Sequence, residues 1–239
     1  GDILPKSLED RMNKYLKEHN SPGKITQGYG LSEALAAVCL ACDDVNKSGS
    51  VGIPLPGNQV KIIDPASRIT LPYGEVGEIC VHSKAFMQGY LNNESETNTA
   101  LQVHKDGHVW LHTGDLGYMD SDGFIFYKGR LKRMIITSGY NVYPSHIEEV
   151  IESHPAVLQC TVVGVPHPYK QEVPKAFIVL KEGYIGMFMK EEIKAYCKKK
   201  LAKYMIPSEF VIRKRLPKTK LGKVDFKSLQ KDTRGDCDE

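Results

Sequence analysis

The ten residues Tyr127-Lys128-Gly129-Arg130-Leu131-Lys132-Arg133-Met134-Ile135-Ile136 divide the chain into two kinds of pattern. Upstream, from Val51 to Tyr127, short β-rich runs alternate with Gly/Pro turns; Gln59–Ile63, Val76–Val81 and Phe124–Tyr127 are the clearest strands. Asp120-Ser121-Asp122-Gly123 reads as a hairpin turn, because Gly accepts the positive φ that a tight turn imposes. Downstream the order is helix, strand, strand, helix, strand. Pro144-Ser145-His146-Ile147-Glu148 reads as a capping box, with Ser145 as cap and Glu148 reaching back. Ile147, Val150 and Ile151 give that helix an apolar face. Val157–Val165, Pro174–Leu180 and Ser208–Ile212 read as strands. Ile193, Tyr196, Cys197, Leu201 and Tyr204 mark a second amphipathic helix. This unit is expected to be one sheet covered on one side. The basic, Gly-led connector places the boundary near residues 130–134.

Further upstream, Leu8, Met12, Tyr15 and Leu16 have helical spacing, so residues 5–19 read as an amphipathic helix. His19-Asn20-Ser21-Pro22-Gly23 breaks it, and Lys24–Gln27 reads as a short strand entering Gly28-Tyr29-Gly30. There is no internal repeat. The fold class is α+β: a twisted antiparallel β region with a helix, then a small α+β domain.

Composition narrows the function classes. The 239 residues include 41% hydrophobic and 26% charged residues, ordinary for a globular chain. The longest apolar run, Ala34–Cys42, is far short of the roughly 20 residues a bilayer span needs, so no transmembrane helix is expected. No apolar signal core follows Gly1, and there is no initiating Met, so a piece of a longer chain is expected. A net charge of +3 is too balanced to argue for nucleic acid. The twelve Lys/Arg against three Glu between Lys190 and Lys223 form a basic face, either solvated or meeting phosphates. The six cysteines include a Cys39/Cys42 pair inside an apolar run, with no second pair or histidines at zinc spacing. They read as buried free thiols in a reducing cytoplasm.

Four segments carry candidate chemistry. In Gln27-Gly28-Tyr29-Gly30-Leu31-Ser32-Glu33, glycines let backbone approach a ligand, an aromatic can lie against a base, and a hydroxyl and carboxylate suit a metal–phosphate cluster. A strand-ending turn with Tyr29 in the core accounts for the pattern equally well. In Trp110-Leu111-His112-Thr113-Gly114-Asp115-Leu116-Gly117, an Asp between glycines can accept from vicinal hydroxyls, or merely cap its own turn. The connector around Gly129–Arg133 is either solvated linker or hinge, and Gly139 is a turn glycine or a point where a ligand passes. In Leu216-Pro217-Lys218-Thr219-Lys220-Leu221-Gly222-Lys223-Val224-Asp225, a loop lysine can reach a distant phosphate, though most loop lysines are surface.

Together, in this order and spacing, these segments resemble the adenylate-forming superfamily of acyl- and aryl-CoA synthetases, peptide-synthetase adenylation domains and luciferases. The resemblance covers essentially the whole chain and matches the C-terminal half of such an enzyme. Asn141-Val142-Tyr143-Pro144 with Ile147-Glu148, and Gly164-Val165-Pro166-His167-Pro168, look most like a bacterial long- or medium-chain fatty-acid CoA ligase. The resemblance implies that residues 1–132 are an antiparallel, β-barrel-like remnant of the large AMP-binding domain. It implies that 133–239 are the small mobile C-terminal domain.

It also implies roles. Tyr29 would pack on adenine beside Gly28 and Gly30, and Ser32 would touch phosphates. Glu33 would bind Mg²⁺, and Asp115 and Arg130 would meet the ribose. Lys223 would bridge carboxylate and α-phosphate, and Gly139 would lie beside the CoA pantetheine. ATP, Mg²⁺ and CoA are the implied cofactors and co-substrates, and a carboxylic acid, such as a fatty acid, is the implied substrate. Ala34–Ala37 and Val51–Pro54 would border an aliphatic acyl pocket.

Two departures stand out. The hinge position, commonly Asp or Lys, is read as Arg133. The upstream Gly/Ser/Thr-rich phosphate loop is absent, so the isolated chain is expected to be inactive without the missing N-terminal half. Two alternatives are a ligase that loads a carrier protein and a noncatalytic nucleotide-binding module. The terminal Thr233–Glu239 stretch carries no carrier motif, and Glu33, Asp115 and Lys223 are retained.

Overall fold

A computed structural model describes Leu4 and residues 6–42, 44–184, 188–220 and 222–232. The chain separates into two units, Gly1–Leu131 and Lys132–Glu239.

In the first unit, α1 (Lys6–Glu18) is followed by β1 (Gly28–Leu31), β2 (Ala36–Leu40), β3 (Ile53–Pro54), β4 (Asn58–Ile63) and β5 (Gly77–Ser83). Then come α2 (Glu94–Ala100), β6 (Leu101–Val103), β7 (Val109–Met119) and β8 (Ile125–Arg130). Strands β1-β2-β3 form a small antiparallel sheet. A second antiparallel sheet runs β4-β5-β7-β6, with β8 also on β7. Tyr29, Val38 and Cys39 of the small sheet pack with Ile62, Ile79, Val81, Leu111 and Ile125 of the large one. The Asp120–Gly123 turn forms as the pattern requires: Asp120 Oδ1 accepts the Asp122 and Phe124 amides, and Gly123 has φ +85°.

The expected helix forms as α1, with Leu8, Met12 and Tyr15 exposed. Among its described side chains Glu9 is buried, and it accepts a 2.5 Å bond from Gln27 Nε2. One expectation for this unit is corrected. Residues Lys24–Gln27 are not a strand; Asn13 holds them by a two-way pairing with the backbone of Ile25, at 2.7 and 3.0 Å. A side-chain amide does here what a ladder partner would do in a sheet.

The second unit contains β9 (Ile135–Thr137), β10 (Tyr140–Val142), α3 (Pro144–Glu152), β11 (Val157–His167), β12 (Gln171–Leu180), α4 (Met189–Lys200), β13 (Glu209–Ile212) and α5 (Phe226–Asp232). Its sheet runs β10-β9-β12-β11, with β13 parallel to β12. Contrary to the one-sided expectation, both faces are covered. Ile147 and Ile151 of α3 and Ile193 and Cys197 of α4 pack with Val162, Ala176 and Ile178. Phe177 and Val179 point the other way, against Leu216 and Leu229. Consecutive apolar residues along β12 make this inevitable, since neighbours on a strand face opposite sides.

The capping box does not form. Tyr143 is the N-cap of α3 without a side-chain cap bond, and Pro144 occupies the first turn, where its missing N–H has no cost. Glu148 turns away to accept the Val162 amide at 2.8 Å and to pair with Arg133 at 2.6 Å.

Five described cysteines are free. Cys42 is exposed rather than buried, whereas Cys39 lies in the core, its thiol pushed up to about 12 by burial. Cys237 and the Thr233–Glu239 stretch lie outside the described residues. Among the described residues no helix is long and apolar enough to cross a membrane.

Candidate nucleotide-binding site

The α1 helix ends with Asn20 at φ +56°, the Ser21 amide closing on Leu16 and the Asn20 amide on Lys17. The chain then runs past Asn13 into β1, where Tyr29 is 8% exposed and Gly28 and Gly30 are open to solvent. Gly30 is obligatory. A Cβ there would sit 2.0 Å from the Ala36 carbonyl oxygen, at a register irregularity between β1 and β2. Leu35 (φ +56°) and Ala36 (φ +142°) carry the opposing strain. Together they wall an open groove of about 630 Å³, lined by Gly28–Ser32 and Leu35–Ala37.

The Tyr29 hydroxyl donates to Asp115 Oδ2 at 2.7 Å. Asp115 is 2% exposed, and burial raises its pKa; the Tyr29 bond, the Arg130 charge and a Tyr127 bond oppose this, while the Glu33 charge adds to it. Burial, and then the Asp115 charge, raises the Tyr29 phenol in turn. Arg130 faces Asp115 across the β7–β8 ladder. Its Nε lies 2.8 Å from Asp115 Oδ1. That oxygen is fully buried and faces the Arg130 charge without an aligned hydrogen-bond donor. A buried carboxylate oxygen beside a guanidinium and lacking a donor is suited to accept a ligand hydroxyl.

Ser32 and Glu33 form a 3₁₀ turn directly after β1. The Met87 amide donates to the Glu33 carbonyl at 2.9 Å, fixing the turn. The Tyr90 hydroxyl donates to Glu33 Oε1 at 2.8 Å, and burial followed by this carboxylate pushes the Tyr90 phenol up to about 12. Glu33 thus offers a hard carboxylate oxygen of the kind Mg²⁺ takes alongside phosphates.

The structure brings Tyr29, Asp115 and Arg130 together in the first unit, with Ser32 and Glu33 on the adjoining turn. Gly139 and Lys223 belong to the second unit. Ser138 (φ +50°) and Gly139 (φ +82°) make the two-residue turn between β9 and β10. Lys223 is exposed beside Gly222, in a turn closed by bonds from Thr219 N to Lys223 O at 2.7 Å and from Asp225 N to Pro217 O at 2.8 Å. Glu148, the Val162 carbonyl and the Phe226 ring hold Arg133 within the second unit.

Three contributors were not singled out from the sequence. Tyr90 carries no local signal. Glu78 is a lone charge in the apolar run Gly77–Val81, which is a signal in itself, and His112 lies inside a quoted motif. Glu78, Cys80 and His112 offer ligand atoms within 4.8 Å of one another. Glu78, however, uses one oxygen for the Gly114 amide at 3.0 Å and the other for His112 Nδ1 at 2.9 Å, so the cluster is satisfied by hydrogen bonds.

Comparison with known proteins gives the same outline. Residues 1–91 match the family described as AMP-binding enzyme, and residues 146–223 match the AMP-binding enzyme C-terminal domain. A putative acyl-CoA ligase, YdaB, of Bacillus subtilis is 44% identical over 202 residues, 84% of this chain and 38% of that protein. A long-chain-fatty-acid–CoA ligase of the same species is 42% identical over 223 residues, 92% of this chain and 38% of that protein. The chain thus spans under half the length of these curated relatives.

Among solved structures, the ATP-bound RpMatB-BxBclM chimera B1 superposes with TM-score 0.83 at 31% identity, over 94% of this chain and 44% of that one. The o-succinylbenzoate CoA synthetase MenE of Bacillus subtilis, in complex with its acyl-adenylate intermediate, gives 0.82 at 32% identity, over 100% of this chain and 45% of that one. By its motifs, its fold and these matches, the chain belongs to the adenylate-forming AMP-binding enzyme family, among the acyl-CoA synthetases.

Proposed function

We propose that this chain is the C-terminal part of an ATP-dependent acyl-CoA synthetase acting on a fatty acid in the cytoplasm. In this reading residues 1–132 complete the large AMP-binding domain and 133–239 are its mobile partner. The observation that carries the proposal is Asp115: a buried carboxylate, oriented by Tyr29, with one oxygen lacking a hydrogen-bond donor. That oxygen fits a ribose hydroxyl, and Arg130 beside it offers a second contact. Gly28, Tyr29 and Gly30 would take the adenine, and Ser32 the phosphates. Glu33 would hold Mg²⁺, which offsets phosphate charge.

In the first half-reaction the substrate carboxylate attacks the α-phosphorus of ATP. The bond to the β-phosphate breaks, and acyl-AMP and pyrophosphate result. The Lys223 ammonium would offset charge developing on the entering and α-phosphate oxygens. In the second half-reaction the CoA thiol loses its proton and its sulfur attacks the acyl carbon. AMP leaves and a thioester forms. Gly139, without a side chain at its turn, would let the pantetheine arm pass. At one edge of the groove, the apolar residues Leu35–Ala37 would border the acyl chain.

The test is thioester formation by the full-length protein from ATP, CoA and fatty acids of graded length, with and without Lys223→Ala. The variant should lose adenylation by orders of magnitude yet still convert supplied acyl-AMP. Accumulation of acyl-AMP with CoA unused would sink the CoA-ligase reading and favour loading of a carrier. The 239-residue chain alone should show no turnover, since the phosphate loop is not in it; turnover by the chain alone would refute that part.

A further inference from the structure

The ladder between β5 and β7 slips at the candidate site. Cys80 pairs with His112 and Glu78 pairs with Leu116. One residue of β5 therefore faces three of β7, Thr113, Gly114 and Asp115. Such a bulge bends its strand and leaves backbone amides without ladder partners. Gly114 takes φ +66° within it. Side chains replace the missing partners. Thr113 Oγ1 donates to the Ile79 carbonyl at 2.7 Å and accepts the Asp115 amide at 3.1 Å. Glu78 Oε1 accepts the Gly114 amide, and Oε2 accepts from His112 Nδ1.

Glu78 is only 7% exposed, in the segment Gly77–Val81 of β5, whose other residues are Gly, Ile, Cys and Val. A buried carboxylate without compensating partners is unfavourable. Here burial raises its pKa, but the His112 bond and the Gly114 amide outweigh burial and hold it below the ordinary glutamate range. It is an anion whose two oxygens grip the residue before Asp115 and a residue three before.

We propose that Glu78 is a positioning residue for nucleotide recognition. By pinning the β7 bulge at Gly114 and His112, it sets the direction of Asp115 and so governs ribose selection without touching the nucleotide. This rests on the reading of Asp115 as the ribose acceptor.

The test uses pyrophosphate exchange by the full-length enzyme at saturating acid, with ATP, 2′-deoxyATP and 3′-deoxyATP as substrates. The variants are Glu78→Gln, Asp115→Asn and the double variant. Glu78→Gln should raise KM for ATP about tenfold, the scale of one charge-assisted hydrogen bond. It should leave KM for the acid unchanged and narrow the preference for ATP over the deoxy analogues. On the Asp115→Asn background it should add less than about twofold, because both changes act on one contact.

A folded Glu78→Gln enzyme that keeps the wild-type ratio of ATP to deoxyATP, or whose loss multiplies with that of Asp115→Asn, overturns the proposal. If Glu78→Gln does not fold, Glu78→Asp keeps the charge but is one methylene short of Gly114. It should narrow the ratio in the same way, and an unchanged ratio is again a refutation. A wild-type enzyme that exchanges pyrophosphate but treats ATP and its deoxy analogues alike would instead remove the ribose role of Asp115 itself.

Discussion

The Tyr29 hydroxyl donates to Asp115 across 86 residues of sequence, joining the glycine-flanked residue of strand β1 to the bulged strand β7 at 2.7 Å. The bond ties an aromatic that can face a base to a carboxylate that can face a sugar. Neither group keeps its ordinary acidity, because both are buried and each perturbs the other.

Removing this bond should matter twice. Tyr29→Phe leaves Asp115 buried with one donor fewer, and should cost about 1–2 kcal/mol of stability in urea titration. Because the Tyr29 bond lowers the Asp115 pKa, its loss should raise that pKa further, moving the acid limb of nucleotide binding to higher pH. Unchanged stability and an unchanged acid limb would mean the pair does not form in solution.

Gly30→Ala is expected to be among the most damaging single-methyl changes in the first unit. Its Cβ would meet the Ala36 carbonyl oxygen at 2.0 Å, and that backbone is already at φ +142°. Gly57→Ala is the control: φ is +89°, but no atom lies within 4 Å of the added carbon. The control should cost about 1 kcal/mol, the Gly30 variant at least twice that by urea titration. Equal costs would show that the β1–β2 approach is looser than described.

Acid should expose the role of Glu78. Its folded pKa lies below its ordinary value of 4.5, so its ionisation stabilises the fold above that value. That contribution is lost as pH falls from 4.5 through the folded pKa. Glu78→Gln should therefore be less stable than wild type at pH 7 and show a shallower decline on the acid side, measured by urea midpoints across pH. Parallel curves would remove the ionised carboxylate from the account.

In the second unit, Arg133 and Glu148 have side chains only 22% and 15% exposed, and Glu148 also holds the Val162 amide. Arg133→Ala should cost about 1–3 kcal/mol and speed hydrogen exchange at Val162. Native stability and native exchange would show that the Arg133–Glu148 pair does not hold this part of the unit.

Much of this could be read from residue order. The strands around Asp120–Gly123 follow from local turn chemistry and alternation. The helix at Pro144–Glu152 follows from the spacing of Ile147 and Ile151. Its capping box was legible but wrong, because Glu148 had stronger claims on it from Arg133 and Val162, both distant in sequence from the cap. The α1 stripe of Leu8, Met12 and Tyr15 was equally legible, yet these side chains are exposed while Glu9 is buried on Gln27.

Sequence alone determined most of the element types and the two-part organisation of the pattern, since these rest on short spacings or local backbone preference, and its motifs carried the resemblance to the family. It also offered Gly28, Tyr29, Gly30, Ser32, Glu33, Asp115, Arg130, Gly139 and Lys223 as candidates. Only the tertiary structure decided that Tyr29 meets Asp115, that Tyr90 holds Glu33, that the second sheet is covered on both faces and that Glu78 fills the bulge beside Asp115. Those are contacts between strands distant in sequence. A buried polar group takes whichever partner the folded register brings within about 3 Å, and no local spacing encodes that choice.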